Sequence, residues 1–450
     1  MSAGEERQAA LVPAQSTALT KAGAKSLAAR GRADLRVREE AEEWLKKGLD
    51  FYHKRRYEDA FVCFKRGIQL DPSHPELQNS LGALYDGGLG LSQDCAQAAL
   101  WYRKAAEQGN SIAQCNLGVL YHAGRGLPQD YAEAVVWWHK AAEQRDATAQ
   151  LALGSAYYDG HGVPQDHAQA AVWWCVAAEQ GNADAQNHLG YAYLRGLGVP
   201  QDYAQAAIWF RKAAEQGKSN AQFNLGVLYE DGHGVPLDHT QAASWYRRAA
   251  EQGDKDAQFI LAGLYDHGLG VPQDYAQAAT WLRKAAEQGH ATAQLNLGIA
   301  YDQGIGVPQD YAQAAFWWRK AAEQGNGQAQ SNLGVLYFNG QGVPRNYTEA
   351  AQWYSRAAEQ GDAQAQNNLA LLYYAGKGVS RDYAQTATWL RRAAEQGHAP
   401  SQLRLGILYD QGQGVPQDDA LAAEWYRKAA DQGLAEAQFM LAGMRERSGK

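Results

Sequence analysis

One pentapeptide, Ala-Ala-Glu-Gln-Gly, recurs along this chain at a fixed spacing, and this repetition constrains the fold more than any other feature. Its copies lie in a register of 36 residues without insertions, and the variant copies at Arg145 and Gly433 keep that register. The chain therefore contains ten units between about residues 74 and 433. Repeats of this length stack into solenoids in which each unit buries its apolar face against its neighbours. The unchanged copies end at Gly109, Gly181, Gly217, Gly253, Gly289, Gly325, Gly361 and Gly397.

Each unit is predicted to form two helices joined by a glycine-rich turn, here called helix A and helix B. In the unit that ends at Gly217, Asn182 is a good N-cap for helix A and Gly196 ends that helix. Helix B starts at Asp202, whose carboxylate is expected to cap it while Gln205 reaches back in a capping box. The fold class is therefore all-α. The same capping pair recurs at Asp274 with Gln277 and at Asp310 with Gln313.

Two adjacent columns of aromatic residues run through the predicted B helices. Ten of the fourteen tryptophans occupy the first column, and such strict placement predicts that every one of them is buried in packing. The second column follows directly and is aromatic except at Leu282 and Leu390. Small residues such as Gly190 and Ala206 are expected to let the helices approach closely. The first column is Trp101, Trp137, Trp173, Trp209, Trp245, Trp281, Trp317, Trp353, Trp389 and Trp425.

The segment at residues 41–74 differs from the array and resembles a single tetratricopeptide repeat. It is expected to cover the apolar face of the first 36-residue unit. We expect residues 1–40 before it to be disordered or partly helical, and residues 434–450 to form a C-terminal capping helix with a polar tail. The residues that match the tetratricopeptide pattern are Trp44, Gly48, Phe51, Tyr57, Ala60, Phe64 and Pro72.

The array at residues 75–433 resembles the Sel1-like repeat family. The resemblance rests on Ala-Gln-x-x-Leu-Gly-x-x-Tyr, then Gly-x-Gly-Val-Pro-Gln-Asp-Tyr-Ala-Gln-Ala, then Trp and Ala-Ala-Glu-Gln-Gly. It implies a right-handed α-α superhelical solenoid that serves as an adaptor or scaffold, mostly in bacteria, in signalling, protein quality control, envelope regulation and host contact. Departures from the pattern at Ala262, Ala370, Ala442, Ser92 and Ser380 leave the register intact.

Composition excludes several classes of function. Hydrophobic residues make up 46% of the chain, which is ample for a packed core, and Lys plus Arg number 42 against 49 for Asp plus Glu. A net charge of -7 argues against nucleic acid as a partner. No apolar run is long enough to insert in a membrane and no secretory signal is visible, so we expect a cytoplasmic protein. The four cysteines are neither paired closely nor dense, and we interpret them as structural thiols.

The sequence shows no pattern typical of catalysis. The twelve histidines include no HExxH motif, and the pairs His161 with His167 and His233 with His239 lie across a turn. The Gly-x-Gly pairs have neither a preceding strand nor a following Gly-Lys-Ser/Thr, so we assign them to the turn. Some cysteine-rich relatives have been linked to penicillin binding or hydrolysis, but no serine here has a lysine three residues on. We therefore expect a non-enzyme without cofactor or metal.

The binding surface is predicted on the concave face of the solenoid, lined by A helices. Positions of helix A that point away from its core stripe vary among amides, acids and aromatics. An asparagine ladder offers donors and acceptors to the backbone of an extended peptide, and aromatic anchors flanked by carboxylates favour an apolar and somewhat basic partner. Alternatively, the asparagines bond to neighbouring backbones and the phenylalanines pack between A helices. The predicted site residues are Tyr158, Phe223, Asn224, Phe259, Asn296, Asn332, Phe338, Asn368 and Tyr374.

A column of Arg-Lys pairs on the B helices is interpreted as a solvated face rather than a basic binding ridge. Arg211 precedes Glu215 by four residues and Arg283 precedes Glu287 in the same way, which predicts weak ion pairs within each helix. The leading hypothesis is thus a non-enzymatic interaction scaffold of unknown oligomeric state. Two alternatives stay open: a secreted bacterial effector or host-contact protein that uses the same surface, and an enzyme with an undetected site.

Overall fold

The chain folds into a series of α-helices. The computed structural model describes the backbone of residues 16–448 and the side chains of residues 35–444, and every regular element in that part of the chain is an α-helix. The predicted all-α architecture of 36-residue helix-turn-helix repeats is confirmed. The chain divides into two compact units, one ending at Gln216 and the other beginning at Gly217.

The first unit contains α1 (Ser16–His53), α2 (Tyr57–Leu70), α3 (Pro75–Gly87), α4 (Cys95–Glu107), α5 (Ser111–Ala123), α6 (Tyr131–Glu143), α7 (Ala147–Asp159), α8 (His167–Glu179), α9 (Ala183–Arg195) and α10 (Tyr203–Glu215). Within this unit, consecutive helices pack against each other. From α3 onward the odd-numbered helices are the A helices and the even-numbered ones are the B helices.

The second unit contains α11 (Ser219–Asp231), α12 (His239–Glu251), α13 (Lys255–His267), α14 (Tyr275–Glu287), α15 (Ala291–Gln303), α16 (Tyr311–Glu323), α17 (Gly327–Asn339), α18 (Tyr347–Glu359), α19 (Ala363–Ala375), α20 (Tyr383–Glu395), α21 (Ala399–Gln411), α22 (Asp419–Asp431) and α23 (Ala435–Ser448). Here too each helix packs against the next one along the chain. None of the helices within residues 16–448 combines the length and the apolar character that crossing a bilayer requires.

The helix ends follow the caps predicted from the sequence, with one correction. The Asn182 side chain accepts a hydrogen bond from the backbone of Ala185, and Gly196 ends α9 in the left-handed conformation. Asp202 caps α10 through the backbone N–H groups of its first turn. The predicted reach-back by the glutamine three residues later is wrong, because the N–H of each such aspartate is already bonded to a tyrosine carbonyl in helix A. These bonds join Asp202 to Tyr193, Asp274 to Tyr265 and Asp310 to Tyr301, at 2.9–3.0 Å.

The two glycines of each Gly-x-Gly turn have different structural roles. Gly160 takes the left-handed conformation that ends α7, with φ of 75°. Gly162 is also left-handed, and a Cβ atom there would lie 2.2 Å from the carbonyl oxygen of Tyr131 in the preceding repeat. Only glycine permits both this conformation and this approach. The turn therefore shapes the helix pair and also seats it on its neighbour.

The core of most repeats is built where a glycine of helix A faces a ring of helix B; the exceptions have Ala262 with Leu282 and Ala370 with Leu390. A Cβ on Gly298 would lie 2.3 Å from the Trp318 ring, and one on Gly334 would lie 2.6 Å from the Tyr354 ring. These rings belong to the second aromatic column, and every member except Leu282 is buried. Helix B thus approaches helix A closely because a missing side chain on one helix makes room for a large one on the other.

The prediction that every tryptophan of the first column is buried is wrong for half of them. Since the second column points straight at helix A, the first column is turned toward the edge of the repeat. There most of its indoles are covered by the Lys or Arg three residues on, as when Lys212 lies 3.9 Å from the Trp209 ring centroid. The buried members are Trp245, Trp281, Trp317, Trp353 and Trp389, and the half-buried members are Trp101, Trp137, Trp173, Trp209 and Trp425.

The Arg-Lys column lies on a largely exposed face, as interpreted from the sequence, but some of its arginines also link repeats. An ion pair within one helix occurs at Lys428 with Glu424, 2.7 Å apart, while the pair predicted for Arg283 does not form in the part of the chain that the structure describes. Arg283 donates a hydrogen bond to the Tyr301 hydroxyl of the next repeat at 2.5 Å, and it forms no ion pair with Glu287 among the described residues. Arg391 donates to Tyr409 in the same way at 2.7 Å. The long arginine side chain reaches a neighbour that the local sequence spacing did not reveal.

A buried glutamine in most of the A helices joins three consecutive helices. The Gln330 amide donates to the Ala322 carbonyl at the end of the preceding B helix at 3.0 Å. Its side-chain oxygen accepts from Gln360, at the end of the following B helix, at 2.8 Å. Gln114, with partners Ala106 and Gln144, shows the same pattern in the first unit. Each buried amide is thereby satisfied on both sides, as burial requires.

The segment before the array packs in the same way. A Cβ on Gly48 would lie 2.3 Å from the Phe64 ring, and one on Gly67 would lie 2.7 Å from Leu77 of the first repeat. The helix α1 continues through residue 40, where the sequence analysis placed a segment boundary, while residues 1–15 lie outside the described residues. The helix expected within 434–450 is α23, and its polar ending Arg445–Arg447 lies outside the described side chains.

The glycine-to-ring contact generates a paired prediction. Changing Gly298→Ala is expected to lower the free energy of unfolding by about 1–3 kcal/mol, because the added methyl group collides with Trp318. Changing Gly263→Ala on α13, where a Cβ meets no heavy atom within 4 Å, is expected to raise it by about 0.5–1 kcal/mol through helix propensity. Urea titrations followed by circular dichroism measure both, and equal effects would contradict this account of the core.

The glutamine bond generates a second prediction. Gln330→Met removes the side-chain bonds to the Ala322 carbonyl and from Gln360, so we expect the local free energy of opening to fall by about 1–3 kcal/mol. Gln328→Met on the exposed side of the same helix is the matched control, with an expected change within about 0.5 kcal/mol. Hydrogen exchange of α17 and α18 amides measures both variants. Equal protection in the two would mean that the glutamine contributes nothing specific.

Candidate peptide-binding surface

The nine residues predicted to contact a partner all lie on A helices and retain exposed surface. Tyr158 lies on α7 in the first unit, and the other eight lie between α11 and α19 in the second unit. Tyr374 is exposed, and the other eight are half-buried. The structure therefore presents eight of them along one series of A helices.

Phe223 and Phe259 make ring contacts. Phe223 meets the Tyr246 ring edge-on, with centroids 5.6 Å apart. Phe259 stacks on His290, at 4.6 Å between centroids, and His290 caps the A helix of the next repeat. Phe259 thus packs against the neighbouring repeat, which was the alternative that the sequence analysis left open. Each ring is nevertheless only half-buried, so one side stays available.

The aromatic residues at the ends of the A helices pair with the beginnings of B helices. Phe338 contacts Tyr347 at 5.4 Å between ring centroids, and Tyr374 contacts Tyr383 at 5.3 Å. In the first unit, Tyr158 lies between His167 and Trp174, at 4.9 and 5.5 Å. Such pairing holds each ring in place while leaving it partly exposed, which is the arrangement of a preorganised anchor.

The four asparagines do not bond to the backbone of neighbouring repeats. Asn332 accepts a hydrogen bond from Gln328 at 3.0 Å, and Asn368 accepts one from Gln364 at 2.9 Å, each within its own helix. The side chains of Asn224 and Asn296 have no hydrogen-bond partner among the described residues. Their amides are half-buried and remain free to bind an added backbone.

Carboxylates accompany these side chains on three successive A helices. Glu230, Asp266 and Asp302 occupy equivalent positions on α11, α13 and α15. Glu230 accepts a hydrogen bond of 2.6 Å from the Tyr246 hydroxyl. Burial raises the pKa of Asp302 above its ordinary value, because its charged form is partly removed from water. A cation brought to this line of acids would relieve that cost.

An open groove lies among these acids in the second unit. Its cavity volume is about 540 Å³, and it is bordered by α11, α13, α14 and α15. Two of the predicted residues, Phe259 and Asn296, line it together with Glu230 and Asp266. Sequence reasoning noted Leu282 in this repeat but missed Gly263, whose column holds larger residues in the neighbouring repeats. A comparison of every column across the repeats would have revealed it.

The histidines and cysteines form no arrangement suited to a metal. In the first unit the His161 ring stacks on Tyr131 at 4.6 Å, and the His122 ring lies 5.6 Å away. Burial, followed by the nearby His161, lowers the pKa of His122. Within the part of the chain that the structure describes, no three His, Cys, Asp or Glu side chains come together in a metal-binding group. All four cysteines are free thiols.

Comparison with known proteins identifies the repeat. The model of the Sel1 repeat matches ten consecutive segments, at residues 75–110, 111–146, 147–182, 183–218, 219–254, 255–290, 291–326, 327–362, 363–398 and 399–434. The chain belongs to the Sel1 repeat family. Sel1 repeat solenoids are a fold typically used for protein–protein interaction, and they are generally non-catalytic.

Two solved Sel1 repeat structures are similar to this chain over most of their length. A protective antigen present in uropathogenic Escherichia coli strains shares 37% identity with a TM-score of 0.75, covering 94% of this chain and 90% of that one. A Sel1 repeat protein from Oxalobacter formigenes shares 35% identity with a TM-score of 0.53, covering 69% and 89% respectively. No curated protein matches this chain significantly.

The bond between Tyr246 and Glu230 predicts a dependence on pH. Burial and then Glu230 raise the pKa of Tyr246 well above that of a free phenol, so the native state holds the proton more tightly. The resulting stability is present below the ordinary phenol pKa of about 10 and is lost as the pH rises above it. We expect Tyr246→Phe to weaken this alkaline loss, measured by urea titration between about pH 8 and 11. The exposed Tyr275→Phe serves as control.

Proposed function

We propose that this Sel1 repeat protein is a non-enzymatic scaffold that binds an extended peptide or protein segment on the concave face lined by its A helices. The partner segment is apolar and somewhat basic. Tyr374 and the half-buried phenylalanines supply anchors, the asparagines bind the partner's backbone, and the carboxylates attract its positive charges. The nine predicted residues carry these roles: Tyr158, Phe223, Asn224, Phe259, Asn296, Asn332, Phe338, Asn368 and Tyr374.

The observation that carries this proposal is that the repeated side chains and the variable side chains have different roles. The repeated glycines, glutamines, arginines and tyrosines are engaged within and between repeats, as with Gln330, Arg283 and Tyr301. The variable positions of the A helices keep exposed aromatic surface and free amides. Because the surrounding helices are already ordered, binding requires little further loss of conformational freedom.

Affinity purification with mass spectrometry from the native cell tests the scaffold. The chain is compared with a variant in which Tyr158, Phe223, Phe259, Phe338 and Tyr374 are all changed to Ser. Since Phe223 and Phe259 also make ring contacts, circular dichroism must first show that this variant is folded. We expect partners that the wild type recovers to be lost, since the anchors supply most of the binding energy.

A matched control comes from the B helices, where Phe316 and Ile208 are exposed to a similar or greater extent. Changing these two residues to Ser removes apolar surface outside the proposed face and should leave the partners bound. Recovery of identical partners by the wild type and the five-residue variant would overturn the scaffold proposal as located here.

A second candidate function is contact with a host outside the producing cell. It is favoured by the similarity to the protective antigen from uropathogenic Escherichia coli, which extends over nearly the whole chain. Immunoblots of cells and culture medium distinguish the two settings. Protein confined to the cell interior would exclude host contact and leave the scaffold proposal unaffected.

A further inference from the structure

The repeat at residues 255–290 lacks the contact between glycine and ring that builds most of the other cores. At the positions where neighbouring repeats have Gly298 facing Trp318 or Gly334 facing Tyr354, this repeat has Ala262 and Leu282. The repeat at residues 363–398 also lacks this contact, with Ala370 and Leu390, but there the leucine is buried. Leu282 is only half-buried, whereas every other member of its column is buried. A leucine fills less space than a ring, so room is left between α13 and α14.

The next residue on α13 enlarges this room. Gly263 stands where the neighbouring repeats have Val227 and Ile299. A Cβ atom built on Gly263 would meet no heavy atom within 4 Å. No other side chain has moved into the space, and the two substitutions together leave an open hollow on the surface.

This hollow is the groove described above, and its size suits one large side chain with the peptide around it. Its volume of about 540 Å³ lies within the range of about 300–1,000 Å³ that is usual for ligand pockets. The lining is mostly apolar and is contributed by three successive repeats. Its main apolar side chains are Phe259, Ile260, Leu264, Leu282, Ile299 and Ile305.

The rim of the groove is acidic and offers an unpaired amide. Glu230 and Asp266 both line it, and neither Lys nor Arg is among the described residues that do so. His267 is close to Asp266, at 3.6 Å, and is largely exposed. The Asn296 amide has no partner among the described residues and lies beside the apolar floor. An apolar floor below carboxylates attracts a segment whose apolar residue is flanked by positive charge.

We propose that this groove is an anchor pocket for a single large apolar side chain of an extended peptide in another protein, with a Lys or Arg nearby in that peptide. The Leu or Phe side chain enters the space beside Gly263, the basic residue meets Glu230 and Asp266, and Asn296 binds the peptide backbone. This assignment rests on the proposed scaffold function and gives it a fixed position along the array. The partner is thereby held in one register.

Selection from a phage-displayed library of random peptides of about a dozen residues, using the full chain, tests the pocket. The selected peptides are then synthesised and their affinities measured by fluorescence polarisation. Two variants close the groove: Gly263→Val, which restores the residue type of neighbouring repeats, and the double change Ala262→Gly with Leu282→Tyr, which restores the glycine and ring. Val335→Ile, at the position equivalent to Gly263 on α17, is the matched control.

We expect the selected peptides to share a large apolar residue with Lys or Arg within a few positions. Both closing variants should weaken binding at least about tenfold, since the anchor side chain loses its buried site. Val335→Ile should bind as the wild type does. Asp266→Asn should weaken binding by a smaller factor that shrinks at high salt, while Asp410→Asn at the equivalent position on α21 should not.

Three results would overturn the pocket. The first is selection of no peptide by the wild type, the second is the absence of a shared apolar residue, and the third is unchanged affinity in both closing variants. If the closing variants bind normally while the five-residue aromatic variant loses the same peptides, the scaffold function stands and the anchor lies elsewhere on the A helices. If the aromatic variant also binds normally, the proposed function fails as well.

Discussion

The array depends on a buried amide that is shared among three helices. In most of the A helices the glutamine donates to the end of one B helix and accepts from the end of the next, as Gln114 and Gln330 do. A buried primary amide without these partners would destabilise the fold, because its donors and acceptor would be removed from water without replacement bonds. Because each partner lies in a different helix, the bond sets the relative positions of successive B helices around the A helix between them.

That constraint explains which side chains are left for binding. The same spacing fixes the carbonyl that Gly162 approaches, the ring opposite Gly298 and the hydroxyl to which Arg283 bonds. The residues that make these contacts therefore cannot vary without loss of stability. The A-helix positions that point away from these contacts are under no such restriction. A surface of variable side chains on an ordered frame is what recognition of a particular partner requires.

Periodicity predicted the fold well because it reports a contact that is repeated at every unit. The caps at Asn182 and Asp202 could be predicted equally well, since capping depends on residues a few positions apart. The orientation of the tryptophan column could not be predicted. Two adjacent aromatic residues on a helix have the same period, and only the approach of helix A decides which of them is buried. The bond of Arg391 to Tyr409 could not be predicted for another reason, since Tyr409 lies in the next repeat, 18 residues away.

The nine predicted site residues lie on A helices, as the sequence indicated, but it left their individual contacts open. The stacking of Phe259 on His290 and the free amide of Asn296 depend on how neighbouring helices are offset, which no single column records. The groove beside Gly263 arises from side chains that are missing. The pair Ala262 and Leu282 recurs as Ala370 and Leu390, but Gly263 has no counterpart in another complete repeat. A search for recurring residues does not reveal a cavity that depends on a missing side chain.

The glycine-mediated contact between successive repeats also bears on how such a chain changes its length. Because Gly162 contacts backbone atoms of the preceding repeat, this contact does not depend on most of the side chains in that preceding repeat. A duplicated or excised block of 36 residues would therefore meet at its new junction a surface it already fits. Loss or gain of a whole 36-residue repeat is thus expected to leave a chain that folds, whereas the groove beside Gly263, present in one repeat, would be lost or doubled as a whole.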